Sequence, residues 1–148
     1  DAAEALRNLG LYNVRHHGLT PARIRIVGQQ DVTAQVGDWG LERAVHEASG
    51  TEYLTPSTAP EQVSDEYGVP DSRTDVYGLG AVAYFAMTGK PPVSADADEI
   101  LAGEIVPPSE LVNIPTALDD PIMRALATDP EGRQDSAYTL GQELDRSL

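Results

Sequence analysis

The chain has 148 residues, 41% of them hydrophobic and 23% charged, which fits one soluble domain with a single core. Acidic residues outnumber lysine and arginine 24 to 10, and the net charge of −14 argues strongly against nucleic-acid binding, which needs a basic face. The chain contains no cysteine, so disulfides and thiolate metal sites are excluded.

No segment of the sequence predicts a membrane span or a secretory signal. The longest apolar stretch, residues 76–87, is about half the length of a membrane-spanning helix, and no positively charged start precedes an apolar core. We therefore expect a cytoplasmic protein. The scattered acidic residues favour a halophilic source, in which concentrated salt screens their repulsion. An ordinary acidic domain is the alternative.

The first half of the chain is predicted to contain a helix, a hairpin and a long irregular segment. Apolar residues recur at helical spacing over residues 1–11. Apolar and polar residues alternate on both sides of a turn, which predicts a β-hairpin over residues 23–36. Over residues 37–70 no periodicity holds, and so long an irregular stretch in a compact domain is usually functional or mobile.

Helices dominate the second half. The helix predicted over residues 74–88 is apolar on nearly all sides, as expected at the centre of a domain, and it stops before Gly89 and two prolines. Further helices are predicted over residues 97–102, 116–127 and 136–148, the last with Ser136 as its cap. The expected fold is mainly α, a single domain over residues 1–148 with a small β-hairpin after the first helix.

Four segments, in order, resemble the C-terminal lobe of the eukaryotic-type Ser/Thr protein kinases. They are Ala-Pro-Glu at 59–61, Asp-Val-Tyr-Gly-Leu-Gly at 75–80, Thr-Gly-Lys-Pro-Pro at 88–92 and Asp-Pro-Glu-Gly-Arg at 129–133. In that family, the first three close the activation segment, start the central helix and end it. The resemblance implies structural roles for Asp75 and for an ion pair between Glu61 and Arg133.

Residues 16–24 resemble the family's catalytic loop, His-Arg-Asp-Leu-Lys-Pro-Glu-Asn-Ile, without a gap but with its key residues replaced. Gly18 stands where an aspartate accepts the proton of the substrate hydroxyl, and glycine has no group for that task. Arg23 stands where an asparagine holds magnesium, and arginine has donors but no acceptor. Thr20 replaces a phosphate-facing lysine, and His17 replaces the arginine that follows His16. No catalytic residue is expected to be intact.

Asp38, followed by Trp39 and Gly40, resembles the family's magnesium-binding Asp-Phe-Gly motif, in which a hard cation takes a carboxylate ligand. A simple turn after a strand is the alternative. Because Arg23 is expected nearby, we hypothesise that its guanidinium pairs with Asp38 and partly replaces the charge of the missing metal. A solvent-facing arginine is the alternative to that pair.

Residues 38–61 resemble the activation segment and carry hydroxyl groups that are candidates for phosphorylation, among them Thr51, Thr55 and Thr58. In the family an arginine often grips such a phosphate. His17 takes its place here and would be a weaker, pH-dependent partner. A polar surface loop is the alternative.

Residues 78–83 also match the glycine pattern of a dinucleotide-binding turn, but that pattern must follow a buried strand, and residues 69–75 cannot form one. The small residues are instead expected to let the central helix pack closely. The histidines lack the spacing that places metal ligands on one helix face.

The resemblance implies a protein-kinase-like (pseudokinase) domain that is catalytically inactive and acts as a signalling, scaffolding or regulatory binding module. The alternative is a divergent Ser/Thr protein kinase that transfers phosphate from ATP. No glycine-rich loop or strand lysine can be assigned, so the N-lobe is expected to be absent. No cofactor is expected for this chain alone, and ATP with magnesium only together with an N-lobe. The expected partner is a protein or the missing N-lobe.

Overall fold

The computed structural model describes residues 15–28, 33–38, 41–50 and 53–148. The helix predicted over residues 1–11 and the tip of the predicted hairpin lie outside these ranges. The hairpin strands are β1 (Ile24–Val27) and β2 (Thr33–Val36), which pair antiparallel. Ile24 packs against the core, and successive side chains of a strand point to opposite faces. Arg25 therefore faces away from the core, directly opposite Gln35 in the register.

Helix α1 (Leu41–Ser49) lies inside the segment that was predicted to be irregular, and for these nine residues the prediction is wrong. The stretch Leu-Glu-Arg-Ala-Val-His-Glu-Ala contains strong helix formers. Gly50 then adopts the left-handed conformation, with φ of 70°, which is the usual way for a helix to end. The helix is too short for its periodicity to stand out from the glycine- and proline-rich sequence around it.

The central helix, α2 (Ser72–Thr88), begins two residues before the predicted start because Asp71 caps it. The Asp71 carboxylate accepts a hydrogen bond of 2.7 Å from the backbone N–H of Arg73, while the hydroxyl of Thr74 accepts one of 3.0 Å from the N–H of Asp71. This reciprocal arrangement satisfies two backbone donors at the helix start. Gly89 ends the helix with φ of 70°.

Two hydrophobic clusters pack around α2. The first comprises Leu19, Val76, Leu79, Ala125, Ala137 and Leu140. The second comprises Ala59, Tyr77, Ala81, Tyr84, Leu118, Ile122 and Leu126. The helix is buried on most sides over its first half, as its apolar sequence predicts, because Leu19, Ala59 and Leu140 lie in the clusters that pack on it.

The remaining helices are α3 (Ala97–Ala102), α4 (Pro108–Leu111), α5 (Asp119–Ala125) and α6 (Ala137–Ser147). Only a 3-10 turn, Thr116–Leu118, and α5 form within the region predicted as one helix over residues 116–127. Pro121 has no N–H to donate, so it must lie in the first turn of an α-helix, and α5 consequently begins after the turn. Helix α4 was not predicted, since four residues are too few to show a period.

The described residues are mainly helical with one small antiparallel hairpin, which confirms the predicted fold class. Within the part of the chain that the structure describes, no helix is long and apolar enough to cross a membrane.

Candidate functional site

The loop that precedes β1 is fastened to the start of α2. The carboxylate of Asp75 accepts hydrogen bonds from the backbone N–H groups of His16 and His17, at 3.0 and 2.7 Å. The ring Nε2 of His16 lies 3.0 Å from the carbonyl oxygen of Gly37, just after β2. His16 is almost fully buried. A buried carboxylate with two amide donors holds the loop at a defined place.

A second clamp joins this loop to the 3-10 turn Pro60–Gln62. The side-chain amide of Gln62 donates a 2.8 Å hydrogen bond to the carbonyl of His17, and its oxygen accepts one of 3.0 Å from the N–H of Ala59. The Nε2 atom of His17 lies 3.0 Å from the carbonyl oxygen of Asp71. The ring of His17 is therefore directed at the start of α2, and sequence reasoning did not identify the contribution of Gln62.

The guanidinium of Arg23 lies against the backbone of Gly18. Its Nη1 donates a short hydrogen bond to the carbonyl of Gly18, and a methyl group added at Gly18 would stand 2.8 Å from that same Nη1. Real side chains do not approach so closely, so a larger residue at position 18 would have to displace the guanidinium. With Arg23 in this position, the absence of a side chain at Gly18 leaves room for the guanidinium.

Asp38 forms an ion pair with the same arginine. The Nε atom of Arg23 lies 3.0 Å from Oδ2 of Asp38, and the two side chains are 6% and 34% exposed. This is the ion pair that the hypothesis required, and it excludes the solvent-facing alternative for Arg23. Asp38 adopts φ of 53°, as His17 adopts φ of 50°; non-glycine residues rarely take this conformation, which is typical of functional sites.

Tyr53 connects the activation-like segment, which is residues 38–61, to Arg23. The Nη2 of Arg23 donates to the hydroxyl of Tyr53, and the guanidinium carbon lies 5.6 Å from the centroid of its ring. The ring centroids of Tyr53 and His46 are 4.9 Å apart, so α1 is linked to Arg23 through Tyr53. This contact was not predicted, because it depends on how the chain returns to the loop before β1 after α1 ends.

These residues surround an open cavity of about 620 Å³. It lies between the loop before β1, the outward face of the hairpin and the activation-like segment. Its lining combines two arginines and one aspartate with neutral polar and small apolar groups: Thr20, Ala22, Arg23, Arg25, Gln35, Val36, Gly37, Asp38, Tyr53, Thr55 and Pro56.

The described threonines of the activation-like segment have a local structural role. The hydroxyl of Thr58 accepts a 2.8 Å hydrogen bond from the N–H of Thr55 and lies 3.2 Å from the Thr55 hydroxyl. Thr58 is only 6% exposed, so a kinase acting on this conformation could not reach its oxygen. Thr51, the third candidate, lies outside the described residues.

Behind the site, Glu61 and Arg133 form a buried ion pair. Two parallel hydrogen bonds of 2.7 and 2.8 Å join them, and their side chains are 1% and 0% exposed. Thr74 donates a third bond of 2.8 Å to Glu61, while the guanidinium carbon stands 5.0 Å from the ring centroid of Tyr77. Burial raises the pKa of Tyr77 to about 12.

Arg133 is also bonded to the backbone that it crosses. It donates to the carbonyl groups of Ala127, Arg73 and Thr128 at 2.8, 3.0 and 3.2 Å. One side chain therefore joins the end of the activation-like segment, the start of α2 and the loop after α5.

No protein-family model matches the chain. Among curated proteins, it is 30% identical over 159 residues to the serine/threonine-protein kinase PknB of Mycolicibacterium smegmatis, an alignment that covers 99% of the chain and 25% of the relative. It is 32% identical over 158 residues to a probable serine/threonine-protein kinase of Clostridium acetobutylicum, covering 96% of the chain and 23% of the relative. The chain thus spans about a quarter of these relatives.

Solved kinase domains share the fold. The PknI kinase domain of Mycobacterium tuberculosis gives a TM-score of 0.72 at 24% identity, over 99% of this chain and 51% of that one. The Rad53 kinase domain, crystallised with SCD2 and AMPPNP, gives 0.74 at 22% identity, over 96% of this chain and 54% of that one. The chain is therefore a homologue of the serine/threonine protein kinases and matches the C-terminal lobe of the protein-kinase fold.

Proposed function

We propose that this chain is a kinase-fold domain that does not transfer phosphate and that serves as a binding module in signalling. The observation that carries the proposal is the contact between Arg23 and Gly18. At the position of the family's proton-accepting aspartate there is no side chain, and the nearest functional group is a guanidinium, which offers donors only.

The chemistry of phosphoryl transfer supports this reading. Loss of a general base alone typically costs ~10²–10⁴ in rate. The reaction depends further on metal ions that neutralise the phosphates, whereas Asp38, the carboxylate aligned with the family's metal ligand, is paired with Arg23. Gly18 removes the proton acceptor, and Arg23 pairs with the carboxylate that would hold the metal.

The surrounding framework supports a binding role, because binding requires shape and not a proton acceptor. Asp75 holds the loop before β1, and Arg133 holds the end of the activation-like segment. A domain with this framework can present a defined surface to a protein partner. The partner we propose is a protein, either the N-lobe that completes the kinase fold or a separate chain.

The test is transfer of radiolabelled phosphate from ATP by the full-length protein that contains this chain, to itself and to general protein acceptors. We expect no transfer above that of an Asp38→Asn variant. A double variant, Gly18→Asp with Arg23→Asn, restores the base and the metal ligand together. Any gain in the rate of transfer should appear only in this double variant. Turnover by the unaltered protein that the Asp38→Asn change abolishes would overturn the proposal.

One observation favours the second candidate, a divergent Ser/Thr kinase. Asp38 remains, and the ring of His16 contacts the residue before it, so the backbone that positions the carboxylate is in place. This candidate requires Arg23 to leave Asp38 when ATP and magnesium bind. The same transfer assay decides between the two, because the second candidate predicts turnover that depends on Asp38.

A further inference from the structure

Magnesium, which the kinase fold implies, does not fit the residues around Asp38. The Oδ2 atom of Asp38 forms an ion pair with the Nε of Arg23 at 3.0 Å, and the arginine side chain is only 6% exposed. A divalent cation would have to approach a buried positive charge and compete for the same oxygen. Among the described residues, no group of three or more His, Asp or Glu side chains could hold a metal ion.

A second arginine reaches the same cavity from the hairpin. Arg25 follows Ile24 in β1 and therefore points away from the core, opposite Gln35, which also lines the cavity. Arg25 is exposed, and no ion pair joins it to another residue in the described ranges. Its guanidinium is thus available to a ligand, whereas that of Arg23 is held by Asp38.

The local charge of the cavity is opposite to that of the chain. Arg23 and Arg25 outweigh Asp38, which leaves a formal charge of +1 in a cavity of a chain whose net charge is −14. The neutral groups of Gln35 and Thr20 add hydrogen-bonding capacity to the lining. A cationic pocket surrounded by an anionic surface concentrates the attraction for an anion in one place.

We infer that this cavity binds a small phosphate-bearing anion without a divalent metal, with Arg25 as the direct contact and Arg23 as a fixed cation in place of the metal. The planar guanidinium matches the oxygens of a phosphate group in a bidentate manner. A cavity of about 620 Å³ admits more than one phosphate. The inference rests on the proposed function, because a site that binds without metal is a site that does not catalyse.

The test is calorimetric titration of this chain with inorganic pyrophosphate in EDTA, at low ionic strength because screening weakens such contacts. We expect saturable binding that added magnesium does not strengthen. Arg25→Gln should weaken it about tenfold, the loss of one charge-assisted contact. The matched control is Arg146→Gln, the same charge change at an exposed residue of α6, which should leave the affinity unchanged.

Equal weakening by the two variants would mean that only net charge matters, and it would overturn the inference. Absence of binding in EDTA, or binding that requires magnesium, would do the same. ADP and ribose 5-phosphate, titrated in the same way, separate a nucleotide from a sugar phosphate, and either one binding through Arg25 supports the site.

Manganese provides an independent measurement. Many exposed carboxylates will hold Mn²⁺ weakly, so the informative comparison is between the unaltered chain and Asp38→Asn, followed by electron paramagnetic resonance. We expect equal Mn²⁺ binding, because Asp38 is engaged by Arg23. If Asp38→Asn binds one Mn²⁺ ion fewer than the unaltered chain, the inference that Asp38 does not hold a divalent metal is wrong. Phosphate transfer addresses the proposed function alone, so a failure of anion binding without turnover leaves that function standing.

Discussion

At the scale of single residues, Glu61 shows how burial and pairing oppose one another. Burial works to raise the pKa of Glu61, but the hydrogen bonds and the charge of Arg133 outweigh it, and the pKa is lowered from 4.5. Glu61 therefore stays charged in the folded protein. Removing one member of such a pair leaves the other charge buried without compensation.

Glu61→Gln should lower the free energy of unfolding by ~3–5 kcal/mol, because it strands the charge of Arg133. The chain offers a matched control in Glu131, which pairs with Arg73 at 2.8 Å but has a side chain that is 76% exposed. Glu131→Gln should cost less than about 1 kcal/mol, since water already solvates that carboxylate. Urea denaturation measures both values, and equal losses would contradict the role assigned to burial.

The same pair predicts a dependence on acid. A carboxyl group whose pKa is lower in the folded state stabilises the protein above its unfolded pKa, and this contribution is lost as the pH falls through the folded pKa. The pH range over which Glu61 loses this stabilising contribution therefore lies below its ordinary pKa of 4.5. The difference in unfolding free energy between the unaltered chain and Glu61→Gln should therefore narrow as the pH falls below 4.5. A difference that stays constant would contradict the lowered pKa.

Gly18 and Arg23 should be energetically coupled. Gly18→Ala places a methyl group 2.8 Å from Nη1 of Arg23 and should lower the unfolding free energy by about 1 kcal/mol, a typical value for interacting neighbours. In an Arg23→Ala background the same change should cost almost nothing. Gly37→Ala is the control, because a methyl group there would meet nothing closer than 4.0 Å. A cost that is the same in both backgrounds would show that the backbone, and not the guanidinium, limits position 18.

At the scale of elements, the packing of α2 depends on two glycines in its sequence. A methyl group at Gly80 would stand 2.7 Å from Cβ of Ala125 in α5, whereas one at Gly78 would stand 3.2 Å from Cβ of Leu19. The first distance requires two helices to separate, and the second requires a small adjustment in the loop before β1. This close approach agrees with a packing role for the small residues.

We expect Gly80→Ala to be less stable than Gly78→Ala by ~1–2 kcal/mol, the usual cost of overpacking. Both changes replace glycine by alanine within the same helix, so the gain in helix propensity of about 1 kcal/mol is common to them and cancels in the comparison. Thermal and urea unfolding of the two variants provide the measurement. Equal stabilities would mean that α2 and α5 can move apart freely.

The elements differ in how far the sequence predicts them. The long apolar run of α2 and the glycine that ends it identify the helix with a start only two residues off, because a buried helix carries its signal along its whole length. Helix α1 and the division of residues 116–127 were missed, because the first is short and the second depends on where Pro121 falls within a turn. The sequence pattern of a helix or strand therefore predicts it best where that element is long.

At the scale of the whole molecule, the candidate site is assembled from distant parts of the sequence. The resemblance to kinases predicts that Arg23 lies close to Asp38, and the ion pair between them is present. The contacts of Tyr53 and Gln62 could not be predicted, because they depend on the path of a segment without a period. The resemblance to kinases predicts where residues of the site lie, whereas the side chains that differ from the family determine the chemistry of the site.

The net charge of −14 is also a property of the whole molecule, and it leads to a last prediction. Compacting a chain with this charge brings like charges together, so screening should stabilise the folded state. We expect the unfolding temperature to rise as potassium chloride is increased from about 0.1 M to about 1 M, where the Debye length falls to about 3 Å. Sodium chloride and tetramethylammonium chloride at the same ionic strengths are the controls, and pure screening gives the same gain in all three. A flat or falling unfolding temperature would mean that relief of the repulsion between acidic residues contributes nothing to stability. That result would contradict a halophilic origin.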